Sequence, residues 1–259
     1  MKLSRYGLIE SKSSRPHINL IGVPGDKEDL VVARFGPDTY AVNRAAMRQE
    51  YTHSSDVLSM PIITFKPKTT AESIAIVACK FRDLAKKDIF NPNWLQAGYV
   101  LRDSEGVWAN PPVADNGEPI VDAKTLNALR DRATKLGVKN GDIYVGEDGF
   151  GFVDYGLFTR DVQDADTFVT EGLARVLENT TEPIARNLKT IADKANYPRG
   201  VNVWGFDPVK TPALKIVSLT SGRLLASYRL YVGGNSCNCD NDGYAFGGLN
   251  SGEASAQKN

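Results

Sequence analysis

The chain has 259 residues, 42% of them hydrophobic and 24% charged, with 31 Lys plus Arg balanced by 31 Asp plus Glu. That length suits one large or two small domains whose core needs no disulfide or metal, and a formal charge of zero offers no overall field to gather a duplex or an anionic membrane. Three cysteines, Cys79, Cys237 and Cys239, form no disulfide framework and point to a reducing compartment.

Residues 1–17 are polar, with Lys2, Arg5, Lys12 and Arg15 against Glu10, and read as an extended arm. The positive start has no apolar run behind it, and no stretch of eighteen apolar residues occurs. A secretory signal and a membrane span are therefore not expected, which leaves the cytoplasm or a particle as the location. Runs 18–23 and 30–35, parted by Pro24-Gly25-Asp26, and 39–42 after Gly36-Pro37-Asp38 predict a small antiparallel meander. Residues 45–51 suit a helical turn or two, and 62–65 a strand.

Thr69-Thr70-Ala71-Glu72 has the form of a capping box and predicts a helix with Ile74, Val77, Ala78, Phe81, Leu84 and Ala85 inward, closed by Asn91-Pro92. Runs 97–102 and 107–109 flank a four-residue turn as a hairpin. Asp122 is placed to cap the next helix, Val121 and Leu126 to staple it, and Gly137 to stop it. Asp148-Gly149 marks a second hairpin between 142–146 and 150–155.

The strongest pattern covers 164–196, where Ala165, Phe168, Val169, Leu173, Val176, Leu177, Ile184, Leu188, Ile191 and Ala192 make one apolar helical stripe. Pro183 interrupts it, and Thr181 is expected to cap a restarted helix with Pro183 in its first turn. Strands follow at 201–206, 214–219 and 223–232. Residues 233–259 have the composition of a Gly/Asn/Ser-rich tail. The expected organisation is an N-terminal arm (1–17), a small β-rich subdomain (18–68), a main α+β domain (69–232) and the tail (233–259). The expected fold is α+β, with mainly antiparallel sheets against three or four helices.

Candidate chemistry is sparse. Asn238, Asp240 and Asp242 alternate ahead of Gly243 as in the first half of a calcium loop, but Leu249 stands where a bidentate acid is required. Zinc at Cys237 and Cys239 lacks two further nearby ligands, since His17 and His53 are remote. Cys79, in an apolar helix, reads as core rather than as a nucleophile. His53, among hydroxyls and Asp56, is the weak candidate for a general base. Asp161, Asp164 and Asp166 precede the long helix and suit its dipole. Lys80, Arg82, Lys86 and Lys87 with Trp94, Tyr99 and Trp108 are the stretch that could hold single-stranded nucleic acid, with Lys80, Lys87 and Trp94 as its core.

No cofactor motif is found. The leading expectation is a non-enzymatic structural subunit of a larger complex, such as a virion or particle, whose terminal arms contact other protein subunits in a homo- or hetero-oligomer. The alternatives are an enzyme built around His53 and a single-stranded nucleic-acid binder.

Overall fold

The structure is a computed structural model and describes residues 18–23, 30–52, 62–83, 94–114, 118–194, 197, 199–221, 229–236 and 243–249. Along the chain run β1 (Ile18–Val23), β2 (Leu30–Asp38), α1 (Tyr40–Met47), β3 (Tyr51–Thr52), β4 (Ile62–Ile63), β5 (Phe65–Pro67), α2 (Thr70–Asp83), β6 (Trp94–Arg102) and β7 (Gly106–Ala109). Next come α3 (Ala123–Arg132), β8 (Thr134–Val138), β9 (Gly141–Val145), β10 (Gly151–Asp154), β11 (Asp161–Gln163), α4 (Ala165–Phe168), α5 (Gly172–Leu177) and α6 (Arg186–Lys194). The last elements are β12 (Val201–Trp204), β13 (Ala213–Ser221), β14 (Leu230–Ser236) and β15 (Gly243–Leu249). The fold is mixed α+β. Six α-helices stand among the described residues, where three or four were expected. None of the helices is long and apolar enough to cross a membrane.

Two compact units divide the chain: Met1–Lys68 with Asn238–Asn259, and Thr69–Cys237. In the first, β1, β2, β15 and β5 lie side by side in that order, all antiparallel, and β3 pairs with β4. The rings of Phe35, Tyr51 and Phe65 meet in its core, with Phe35 and Phe65 edge to face at 5.2 Å. Two expectations are corrected here. Residues 39–42 open α1 rather than a third strand, because Thr39 caps the helix by accepting the Val42 N–H at 3.2 Å and Tyr40, Asn43, Ala46 and Met47 bury one helical face. Part of the expected tail is strand: β15 sits between β2 and β5, with Tyr244 and Phe246 buried. Its glycines make room for rings, since a Cβ on Gly247 would fall 3.0 Å from both Phe35 and Phe65. The arm 1–17 and residues 250–259 lie outside the described residues.

The second unit is built on a sheet ordered β11-β12-β14-β13-β6-β7-β10-β9-β8. Every pair is antiparallel except β12 with β14. The capping box forms as expected: the Thr69 N–H donates to Glu72 Oε2 at 2.8 Å and the Glu72 N–H to Thr69 Oγ1 at 3.2 Å. Both hairpins also form, with Asp148 (φ 52°) and Gly149 (φ 78°) turning the second. Gly137 does not stop α3. That helix ends at Arg132, and Gly137 lies within β8, which returns through Lys139-Asn140 (Asn140 φ 75°) into β9.

The stripe at 164–196 is core, as predicted, apart from half-buried Ala165 and exposed Ile184. It is carried by three helices instead of two. The extra break follows Phe168: Thr170 Oγ1 donates to the Thr167 carbonyl, and Glu171 leaves the helix direction to accept from Thr159 and Gln163. Gly172 then brings α5 against the sheet, where a Cβ would stand 2.8 Å from Ile143 and 2.9 Å from Val153. The expected break near Pro183 is present, but Thr181 is not its cap. Glu178 reaches forward instead, and its carboxylate accepts the N–H groups of Asn187 (3.0 and 3.1 Å) and Leu188 (3.0 Å). Two donors at the start of α6 are thereby satisfied from outside the helix.

Candidate functional site

Strand register in the second unit lines up Leu214, Leu101, Trp108, Phe152 and Tyr144 as one row across β13, β6, β7, β10 and β9. Alternation sends Val107, Val153 and Ile143 to the opposite face, where α5 packs. Helix α3 covers the row. Its Leu126 packs with Leu101, Trp108, Phe150 and Phe152, and Leu129 and Ala133 flank them. Asp122 starts α3 as expected, accepting the Thr125 N–H at 2.8 Å, and that bond holds its carboxyl below the usual range.

In the last turn of α3, Arg130 lays its guanidinium over three rings of the row. Its central carbon is 5.1 Å from the Phe152 centroid, 5.4 Å from Trp108 and 5.9 Å from Tyr144. Its Nη1 is also 3.3 Å from Glu105 Oε2. The aromatic row is thus already serving as a seat for a cation.

Beside this seat the β6–β7 turn is organised by Asp103. Its Oδ1 accepts the N–H groups of Glu105 (2.8 Å) and Gly106 (2.9 Å), while Oδ2 accepts the Trp108 indole N–H at 2.6 Å. The Asp103 carbonyl accepts from the Tyr155 hydroxyl at 2.9 Å and from the Val209 N–H at 3.2 Å. Burial pushes Tyr155 up to about 12, so it stays a donor at neutral pH. Buried Arg102 closes the far side, donating to the Asp207 carbonyl (3.1 Å) and to Asn235 Oδ1 (2.8 Å). Asp154 is pushed above the ordinary carboxylate range, first by burial and then by Glu105, with Arg130 opposing the shift.

Between this turn and the start of α3 lies a shallow cleft of about 70 Å³. Leu101, Val121, Leu126 and Pro212 form apolar walls, and Asp103 and Glu105 are its charged lining.

A different surface stands at the far edge of the sheet. Val162 on β11 pairs with Asn202 on β12, and Trp204 follows two residues later on the same face. Val162 and Trp204 are each 42% exposed. The Trp204 indole rests on Gly233 of β14, where a Cβ would be 2.9 Å from the indole Nε1, while on the other face the buried Phe206 ring lies against Gly234.

The residues singled out by sequence fare differently. His53, Lys87, Asn238, Asp240 and Asp242 lie outside the described residues, as do Cys237 and Cys239. Lys80 falls within α2, and Trp94 is half-buried at the start of β6. Tyr99 and Trp108, the stacking surfaces expected beside them, are buried in the second unit. Cys79 is half-buried on α2. The three aspartates before the long stripe do not converge: Asp161 accepts the Val162 N–H, Asp164 caps α4 through Thr167, and Asp166 pairs with Lys189 at 2.6 Å. The Thr167 hydrogen bonds hold Asp164 below the usual range. Among the described residues no group of three or more His, Cys, Asp or Glu could hold a metal ion.

Sequence reasoning missed Arg130, Glu105, Asp154 and Trp204. The hydrophobic pattern around Trp108 and Phe152 was visible, but their alignment depends on register. No protein family, curated protein or solved structure matches this chain.

Proposed function

We propose that the chain is a non-enzymatic assembly subunit that associates with further copies of itself through the β11–β12 corner. The observation that carries this reading is Trp204, an exposed tryptophan beside exposed Val162 at the end of the sheet. Tryptophan is enriched among residues that dominate interface energies. Here the indole is held against Gly233, so little side-chain freedom is lost when its outer face is covered.

The two ends of the sheet differ in a way that favours this corner. At the opposite end, β8 carries exposed Lys135, held at 2.9 Å from Asp142, and exposed lysine on an edge strand discourages pairing with another chain. β11 has an apolar centre in Val162 and no lysine. An antiparallel pairing of β11 with the same strand of a second copy creates a two-fold interface, in which each Trp204 meets the other subunit. A virion or similar particle is the kind of assembly this reading suits, with the polar segments at both ends of the chain making further contacts between subunits.

Sedimentation velocity of the full chain across a dilution series tests the proposal. Association is expected at high concentration, and Trp204→Ala should weaken it at least ~30-fold, the equivalent of a hot spot of about 2 kcal/mol. A chain that stays monomeric up to roughly 100 μM, far weaker than micromolar association, would sink the idea. So would association that is indifferent to Trp204→Ala and Val162→Asp.

A further inference from the structure

We infer that Asp161 guards the open edge of β11, and that a second copy of the chain pairs there in a register centred on Val162 once the Asp161 carboxylate has moved aside. The guard acts on the self-association proposed for this corner and rests on that reading. Among the described residues β12 is the one strand paired with β11, matching Gln163 with Val201, Val162 with Asn202 and Asp161 with Val203. Gln163 turns its carbonyl toward β12, since a Cβ on Gly200, the residue before that strand, would run into this oxygen. In an antiparallel pair successive residues aim their backbone groups to alternate sides, so the N–H and C=O of Val162 point away from β12 to the open side. The N–H is not idle: it donates to Asp161 Oδ1 at 2.8 Å. Asp161 holds this position at φ 112°, a conformation that a residue with a Cβ rarely adopts. The carboxylate therefore occupies the donor that an incoming strand needs, and because Asp161 is exposed it can swing into solvent without disturbing the core.

The groups on either side leave Val162 as the place for pairing. Thr159 donates its N–H to Glu171 Oε1 and its carbonyl accepts the Gln163 amide, so both of its backbone groups are spent within the chain. At the other end the Asp164 carbonyl accepts the Phe168 N–H as α4 begins. With Val162 of one copy opposite Val162 of the other, each N–H donates to the other carbonyl and the two apolar side chains meet. The same register sets exposed Arg160 of each copy opposite exposed Asp164 of the other, which gives two opposite-charge pairs across the two-fold axis. Arg160 is held in its own chain by a contact of 3.5 Å to Asp207, an exposed pair that gives way at little cost. Neighbouring registers lack this match. One centred on Asp161 places two carboxylates face to face, and one centred on Gln163 calls on the Asp164 carbonyl that α4 already uses.

Sedimentation velocity of the full chain and its single variants tests the guard and the register separately. Asp161→Ala uncovers the Val162 N–H and is expected to tighten association at least ~5-fold, whereas Asp161→Asn keeps an oxygen on that N–H and should stay within about 2-fold of wild type. Equal tightening by the two variants would assign the effect to lost charge and overturn the guard, as would an Asp161→Ala chain that associates like wild type. Arg160→Asp sets an acid opposite Asp164 twice in each dimer, so association should weaken at least ~5-fold at low salt and recover in part as salt is added. An unchanged Arg160→Asp chain would overturn the register. If Asp161→Ala fails to fold, Asp161→Gly, which takes a positive φ without steric cost, replaces it with the same expected result. Association that depends on Trp204 but not on Asp161 or Arg160 would overturn this inference and leave the self-association standing. Wild type and Asp161→Ala that both stay monomeric up to roughly 100 μM would overturn the two together.

Discussion

Replacing Asp103 by Asn tests whether the β6–β7 turn and the aromatic row form one cooperative unit. Asp103 Oδ1 accepts two backbone N–H groups and Oδ2 the Trp108 indole N–H at 2.6 Å, and Trp108 is only 3% exposed. An asparagine can keep its carbonyl oxygen on the turn, but its amide then points a donor at the indole donor. Water cannot replace the lost acceptor at a group so deeply covered. A hydrogen bond to a charged acceptor is worth about 1.5–3 kcal/mol, and a buried donor left without a partner costs about 1–3 kcal/mol. These are two descriptions of one loss, so Asp103→Asn is expected to cost ~2–3 kcal/mol. Trp108→Phe removes the donor and shrinks a packed ring, for about 1–3 kcal/mol. In the double variant the donor conflict is gone, which predicts a coupling of ~1–2 kcal/mol between the positions. Urea unfolding of the four proteins, followed by circular dichroism with m-values held common, measures it. Additivity within about 0.5 kcal/mol would refute the claim that this hydrogen bond ties the turn to the row.

Two further outcomes follow from half-buried Glu178 and from Asp154, whose carboxyls are both pushed up. Glu178→Ala removes the acceptor of the Asn187 and Leu188 N–H groups and should cost ~2 kcal/mol by denaturant unfolding, whereas Glu178→Gln, which keeps one acceptor, should cost under about 1 kcal/mol. Burial raises the Glu178 pKa despite these bonds, so wild-type stability falls as pH rises from the ordinary glutamate range through the folded value, and the Gln variant should lose that slope. Asp154 is raised in the same sense by burial and Glu105. Asp154→Asn should therefore melt higher than wild type near about pH 7 and converge with it near about pH 3, where both forms are neutral; a constant offset across that range would show that charge is not the cause.

Local chemistry made much of the second unit legible. The capping box at Thr69 and Glu72, the Asp122 cap and the Asp148-Gly149 turn each rest on side chains within a few residues of the backbone they serve. The misreadings arose where a distant partner decided the matter. Gly137 had the look of a helix stop, yet the two-residue turn Lys139-Asn140 pairs β8 with β9, and that pairing claims residues 134–138 as strand. The glycines of 243–249 had the composition of a tail until the rings of Phe35 and Phe65 are placed beside them. Pro183 announced a break, but its cap came from Glu178, five residues earlier, where no cap pattern points.

The candidate sites were hidden for the same reason, carried further. Leu101, Trp108, Phe152 and Tyr144 are spread over more than forty positions, and only the pairings of β6, β7, β10 and β9 make them neighbours. Arg130 reads in sequence as one solvated charge on a polar helix, and its role exists only because α3 crosses that row. Trp204 shows the opposite limit. Alternation in 201–204 identifies it as outward-facing, but an outward tryptophan in a central strand would be covered by the next layer, while one beside an edge strand is free to meet another molecule. Its significance comes from strand order, and strand order is set by pairings between segments that share no local signal. A chain without a catalytic motif is for that reason best interrogated at its registers and edges: the cleft under α3 and the corner at β11 are both products of where strands end and which residues they place opposite one another.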